Sequence, residues 1–225
     1  MVRPRSYPYQ LLGACCFVLA ATFLVMPRVG AQTMAASPAA QGDSAQTELV
    51  QWIASIGTLQ ASMVQRIFVD GVLLEESQGS FAMQAPYMRW EVTAPFPQIL
   101  LLNDRQLQIY DADLAQLTLH DLGGDNAPLP GDLLMRPEQL ANGDYLVTRE
   151  QDEARVSYRL IPTASTTLFQ AIDVTVRAGQ LESLVIYDWQ GQQTQMIFTQ
   201  VQINQPIVPA LFQLDVPEGT DVIHG

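Results

Sequence analysis

The sequence predicts a mainly β, α+β protein: one strongly curved antiparallel sheet whose open side is covered by helices. Three observations carry that prediction. Apolar residues recur with a period of two in separate short runs between Ala61 and Ile203. One stretch of helical period precedes those runs, and a single glycine- and proline-rich insert with a short apolar centre interrupts them.

Residues 1–31 read as a signal peptide. Arg3 and Arg5 precede the apolar run LLGACCFVLAATFLVM, and VGA ending at Ala31 supplies the small-residue cleavage pattern. The run is about 16 residues long against the ~20 that a spanning helix needs, so export and cleavage before Gln32 are expected, with a retained N-terminal anchor as the weaker alternative. Cys15 and Cys16, the two cysteines of the chain, both lie in this run. A mature chain starting at Gln32 has no thiol, which excludes disulfides, zinc–thiolate sites and cysteine catalysis. The words LGAC look like a lipid-attachment signal, but the apolar run continues well past the cysteine and argues against it.

Every cation of the chain is an arginine. Removing Arg3, Arg5 and Arg28 from the 11 leaves 8 against 23 acids, a net charge of −15. Such a surface repels nucleic acid and anionic lipid headgroups.

Residues 32–46, QTMAASPAAQGDSAQ, are small and polar and predict a flexible lead-in to a domain over residues 47–225. From Thr47 a helical period sets Leu49, Trp52, Ile53, Ile56 and Leu59 on one face, with Ser44 or Thr47 as cap. That face suits packing on a sheet.

After Leu59 the period changes to two. ASMVQRIFVDG reads as a strand, followed by GSFAMQ with Phe81 and Met83 on one face, and YMRWEV with Met88, Trp90 and Val92 on one face. Pro86, Pro95 and Pro97 belong at strand ends or turns. QILLL, the turn at Asn103-Asp104, QLQIY with Leu107 and Ile109 on one face, and LAQLTLH continue the meander. The insert Gly123 to Asp144 carries Leu133 and Leu134 and predicts a loop with one short helix, either a lid or a plain crossover. RVSYRLIP, FQAIDVTV, LESLVIYDW and TQMIFTQVQI complete about ten strands, with tight turns at Ala178-Gly179 and Gln190-Gly191.

No residue cluster points to catalysis. After the signal peptide the chain has His120 and His224 as its histidines and no GxSxG motif. DAD at Asp111–Asp113 and GGDN at Gly123–Asn126 lack the calcium-loop spacing, and no carboxylate pair stands out. Neither metal nor cofactor is expected. What remains is an apolar surplus rich in methionine: Met63, Met83, Met88 and Met196 recur on strands with Phe81 and Trp90. Methionine either fills a core or forms an adaptable surface for loosely specified apolar ligands.

The runs LQASMVQ and GSFAMQAPYMRWEVTAPFPQILLLNDRQLQIYDADLAQLT, closed by FQLDVPEGTDVI, resemble in order and spacing the LolA family of periplasmic outer-membrane lipoprotein carriers. The likeness runs from Leu49 to Ile223. Its most specific parts are the P-x-x-x-W at Pro86–Trp90, the YD..L.Q that follows, and the closing F…P.G.DV.

The resemblance implies an incomplete antiparallel barrel, open on one side, whose helices cover an apolar cavity for acyl chains. Met63, Met88 and Trp90 fall at its cavity positions, Phe81 and Met83 at its walls, and Leu133 and Leu134 in its lid. Ile53, Leu107 and Ile109 join them as cavity candidates. It implies a monomeric periplasmic chaperone that takes acylated lipoproteins from an inner-membrane ABC release complex to an outer-membrane receptor.

Some family members latch the lid with an arginine before the proline, where this chain has Ala85 before Pro86. Arg89, beside Trp90, is the possible substitute latch, although alternation with Met88 and Trp90 points it outward. The family's DG turn is here Asp104-Arg105, and Gln108 stands where a tryptophan is common. The alternative reading is a related-fold lipid-binding receptor or envelope-stress signalling protein. The receptor of this pathway carries a cysteine at its mature N-terminus, which this chain lacks after the expected cleavage site.

Overall fold

The computed structural model describes residues 39–103, 106–121, 132–164 and 169–224. The expected signal peptide and its cleavage site lie outside the described residues, as does the Asp104-Arg105 turn. The described elements are helix α1 (Ala39–Ala54), strands β1 (Leu59–Val69), β2 (Val72–Gln84), β3 (Tyr87–Ala94), β4 (Gln98–Leu102), β5 (Gln106–Asp111) and β6 (Gln116–Asp121), helices α2 (Asp132–Met135) and α3 (Pro137–Ala141), and strands β7 (Tyr145–Asp152), β8 (Arg155–Pro162), β9 (Phe169–Arg177), β10 (Gln180–Asp188), β11 (Gln192–Ile203) and β12 (Asp221–His224).

All twelve strands form one sheet in the order β12-β6-β5-β4-β3-β2-β1-β11-β10-β9-β8-β7. The two end strands do not pair with each other, so the sheet is open. Ten of the strands are those the sequence predicts, and two are additional. β7 occupies the stretch between the predicted insert and Arg155, and β12 adds the one parallel pairing among the described residues, Asp221–His224 along Gln116–Leu119.

Two-residue turns fix the register of the hairpins. Asp70-Gly71 and Ala178-Gly179 all have positive φ, between 49° and 80°, and close strands paired at Val69/Val72 and Arg177/Gln180. That is the mirror-image turn whose twist matches the strands it joins, and glycine in its second position takes it without strain.

Alternation then sorts the faces. On β1, Leu59, Ala61, Met63 and Gln65 point to the buried side, and their partners on β2 are Met83, Phe81, Gly79 and Ser77. On the other flank Val147, Leu160, Ile172 and Ile186 follow one another across β7 to β10 on the same side. This face is concave. The Phe81 and Phe198 rings meet at 5.7 Å and those of Tyr145 and Phe169 at 6.4 Å, each pair reaching across an intervening strand, where flat backbones would stand about 9–10 Å apart.

Helix α1 lies against the concave side through Ala45, Leu49 and Ile53, buried at helical spacing; it ends at Ala54, so of the expected helical face Ile56 is buried in the connection that follows and Leu59 opens β1. It begins at Ala39, so residues 39–46, expected as a flexible lead-in, are helical. The burial of Ala45 extends the apolar face one turn toward the N-terminus beyond Leu49, the first residue whose size announces it. At its other end Asn204 stitches the helix to the sheet, its Oδ1 accepting from the Gly57 amide at 2.7 Å and its Nδ2 donating to the Ser55 carbonyl at 3.0 Å.

Candidate functional site: the covered concave face

The concave face is one continuous apolar cluster that includes residues of α1, α2, α3 and most of the strands. Ile53, Met63, Phe81, Met83, Met88, Leu133 and Leu134 are all buried within it. Trp90 and Leu107 are partly buried against it, and Ile109 is buried on the same face through its pairing with Leu100. The register explains the grouping: Met83 pairs with Met88, Met88 with Leu102 and Leu102 with Leu107, while Phe81 pairs with Trp90 and Trp90 with Leu100.

Residues 123–131 of the insert, with the GGDN stretch, lie outside the described residues; its described part holds two helices of four and five residues, not one. Leu133, Leu134 and Met135 of α2 and Leu140 of α3 are buried in the cluster. Helices this short do not persist alone in water, so these apolar contacts hold them in place. Gln46 of α1 donates from Nε2 to the Leu140 carbonyl, joining the two covering helices. Glu48 of α1 pairs with Arg149 of β7 at 3.0 Å. Burial, followed by the hydrogen bond to Glu48, pushes the Tyr158 phenol above its usual range. Trp52 completes the attachment by donating to the Gly179 carbonyl at 3.1 Å.

Arg89 points to the opposite face. Its guanidinium pairs with Glu91 at 2.8 Å and donates to the Leu211 carbonyl at 3.3 Å. Leu211 belongs to a 3-10 turn, Pro209–Phe212, of the segment between β11 and β12. Phe212 stacks on Tyr87 at 5.7 Å, so this C-terminal arm lies across the outer side of β3. Arg89 therefore holds the arm in this structure, and its described partners are not in α2 or α3.

The outer face of β7 to β11 is polar, and a groove of about 670 Å³ opens on it. Arg155 makes a two-pronged pair with Glu182 at 2.6 and 2.7 Å, and Arg159 makes another with Asp173 at 2.7 and 2.8 Å while lying over the Tyr187 ring. The hydrogen bond from Arg155 holds the Glu182 carboxyl below its usual range. These arginines are paired with acids, and the groove shares no lining with the apolar cluster except the Tyr158 position.

Polar residues on the concave face escape a reading of the sequence alone. Gln65, Ser77 and Thr194 are buried there, and the Ser77 hydroxyl and Trp90 indole N–H are buried without a hydrogen-bond partner among the described residues. Alternation along the strand places Gln65 on the face of Met63, but a polar residue within a strand reads by default as solvent-facing.

Among the described residues no three His, Cys, Asp or Glu side chains gather as a metal site, and no helix is long and apolar enough to cross a membrane. The family model of the outer membrane lipoprotein carrier protein LolA matches residues 54–215. An outer-membrane lipoprotein carrier protein of Azotobacter vinelandii is 31% identical over 198 residues, covering 87% of this chain and 96% of that protein. One from Alcanivorax borkumensis is 31% identical over 191 residues, covering 84% and 91%. In fold, the chain is similar to the crystal structure of an uncharacterized conserved protein from Thermus thermophilus, with a TM-score of 0.51 at 13% identity over 82% of this chain and 100% of that one. The family match over most of the domain, together with relatives at this identity, shows that the chain belongs to the outer-membrane lipoprotein carrier protein LolA family.

Proposed function

We propose that this protein is a monomeric periplasmic chaperone that receives acylated lipoproteins from an inner-membrane ABC release complex, shields their acyl chains on its concave face and passes them to an outer-membrane receptor. The observation that carries this reading is a methionine-rich concave face, in a member of this family, roofed by two helices too short to stand alone.

The physical need is large. Each methylene exposed to water costs about 0.8 kcal/mol, so a multiply acylated protein pulled bare through the periplasm loses tens of kcal/mol. An apolar compartment removes that barrier only if it also lets go. Met63, Met83, Met88 and Met196 supply unbranched, polarizable side chains that repack around chains of differing shape. With α2 and α3 held by a few leucine and methionine contacts, displacement of those helices opens the compartment at modest cost. The acidic surface keeps the carrier from settling on anionic headgroups between pick-up and delivery.

Native mass spectrometry of the protein purified without detergent from its own envelope tests this. Co-purifying triacylated protein is the expected result. Reproducible recovery with no apolar cargo contradicts it and favours a signalling or structural role.

A further inference from the structure

The concave face changes character along its three central strands. Toward the ends of β1 and β2 nearest α1 it presents Leu59, Ala61, Phe81 and Met83, whereas toward the Asp70-Gly71 turn it presents Gln65, Ser77 and Thr194. Gln65 and Ser77 are direct partners across β1 and β2, exposed by 1% and 2%, and Thr194 on β11 is exposed by 7%. One strand further, Trp90 shares this face through its pairing with Phe81.

Two of these groups are donors with nothing to donate to. The Ser77 Oγ and the Trp90 Nε1 are both buried and unpartnered among the described residues. Buried donors left unpaired are costly and uncommon in native proteins, and an indole N–H can do nothing but donate. Trp90 stands level with Phe81 in the apolar part, whereas Ser77 and the polar side chains beside it stand where an entering acceptor would meet them.

Their surroundings select the acceptor. Glu75 lies two residues from Ser77 on the same face, paired with Ile67, and burial pushes its carboxyl above the usual range. A carboxylate at this end repels an anionic headgroup and tolerates a neutral carbonyl. We infer that Ser77 donates to the ester or amide carbonyls that join acyl chains to a lipoprotein's cysteine, so that cargo enters in one orientation, with its linkage at the Gln65–Ser77–Thr194 end and its chains over Trp90, Phe81, Met83 and Met88. This rests on the carrier reading and adds what the compartment recognises besides hydrocarbon.

Two probes separate the inference from that reading: a synthetic N-palmitoyl-S-diacylglyceryl-cysteine tetrapeptide, which has the carbonyls, and N-phenyl-1-naphthylamine, which has none. Ser77→Ala is expected to weaken lipopeptide binding roughly fivefold or more, the worth of one hydrogen bond to a neutral acceptor, and to leave the naphthylamine titration unchanged. The unliganded Ser77→Ala protein is expected to unfold at the same or higher denaturant concentration than the parent, because it loses an unsatisfied group; a serine serving only the fold would show a loss. Unchanged lipopeptide affinity in Ser77→Ala, or equal weakening of both probes, overturns the inference. Failure of the parent protein to bind either probe overturns the carrier reading itself and the inference with it.

Discussion

The Phe81 ring meets the Phe198 ring edge to face, with centroids 5.7 Å apart, although β1 runs between their strands. The sheet curves, and the contact runs diagonally across β1, where Phe81 stands opposite the small Ala61 and Phe198 opposite Met63. It ties the β2 side of the concave face to the β11 side. Phe81→Ala removes both the buried ring and the edge-to-face contact, and is expected to lower the unfolding free energy by about 3 kcal/mol. A urea titration with an unchanged slope and an earlier midpoint is the expected record.

Leu133 stands at 3% exposure in the smallest covering element of the fold. Leu133→Asp places a charge where the roof meets the apolar face, at a cost of several kcal/mol if α2 stays docked. Undocking is the cheaper outcome. Hydrogen exchange over residues 133–141 should accelerate while exchange on β1 and β11 stays slow, and retention of an acylated peptide should fall.

Arg89→Ala is expected to act on the C-terminal arm. The variant loses the Glu91 pair and the charge-assisted hydrogen bond to the Leu211 carbonyl, a loss of about 1–3 kcal/mol in holding that segment. Proteolysis between residues 204 and 220 should speed up, with cargo retention nearly that of the parent. A collapse of retention with the arm still protected would restore Arg89 as a latch.

Glu75 gives a pH signature with a definite sign. Burial raises its folded-state pKa above the unfolded value, so the folded protein binds more protons in the interval between the two. Its contribution is destabilising at neutral pH, and the penalty disappears as pH falls through the raised value toward the ordinary carboxylate range. Glu75→Gln should therefore be more stable than the parent at pH 7. The difference in denaturation midpoint should shrink to nothing at acid pH, where both side chains are neutral.

The strands easiest to read are those with apolar residues bounded by turn formers. QILLL and RVSYRLIP match their strands to the residue, since Pro97 and Asn103 flank the first and Leu160 and Tyr158 alternate in the second. β7 is harder because only Tyr145 and Val147 of its eight residues are buried, and TREQD reads as solvent-facing turn. β12 is wholly exposed and is defined by its hydrogen bonds to β6, which leave no hydrophobic trace. The first half of β2 carries Val72, Leu73 and Leu74 exposed in succession, so no alternation announces it. In the site, Met88 and Trp90 are legible because a period of two sets them on one face. Ser77 and Gln65 are not, since alternation puts them on the face of Phe81 and Met63 but their polarity reads as the end of the buried stretch.

Release of lipoproteins from membranes measures carriage most directly. Spheroplasts making radiolabelled lipoproteins should shed them into the medium when the mature protein is added, in a soluble complex holding one carrier per lipoprotein. Met88→Glu, which sets a carboxylate between Met83 and Leu102 on the concave face, should fold yet release little. Lipoproteins that remain on the spheroplast membrane with the parent protein present, or equal release by Met88→Glu, would contradict the account.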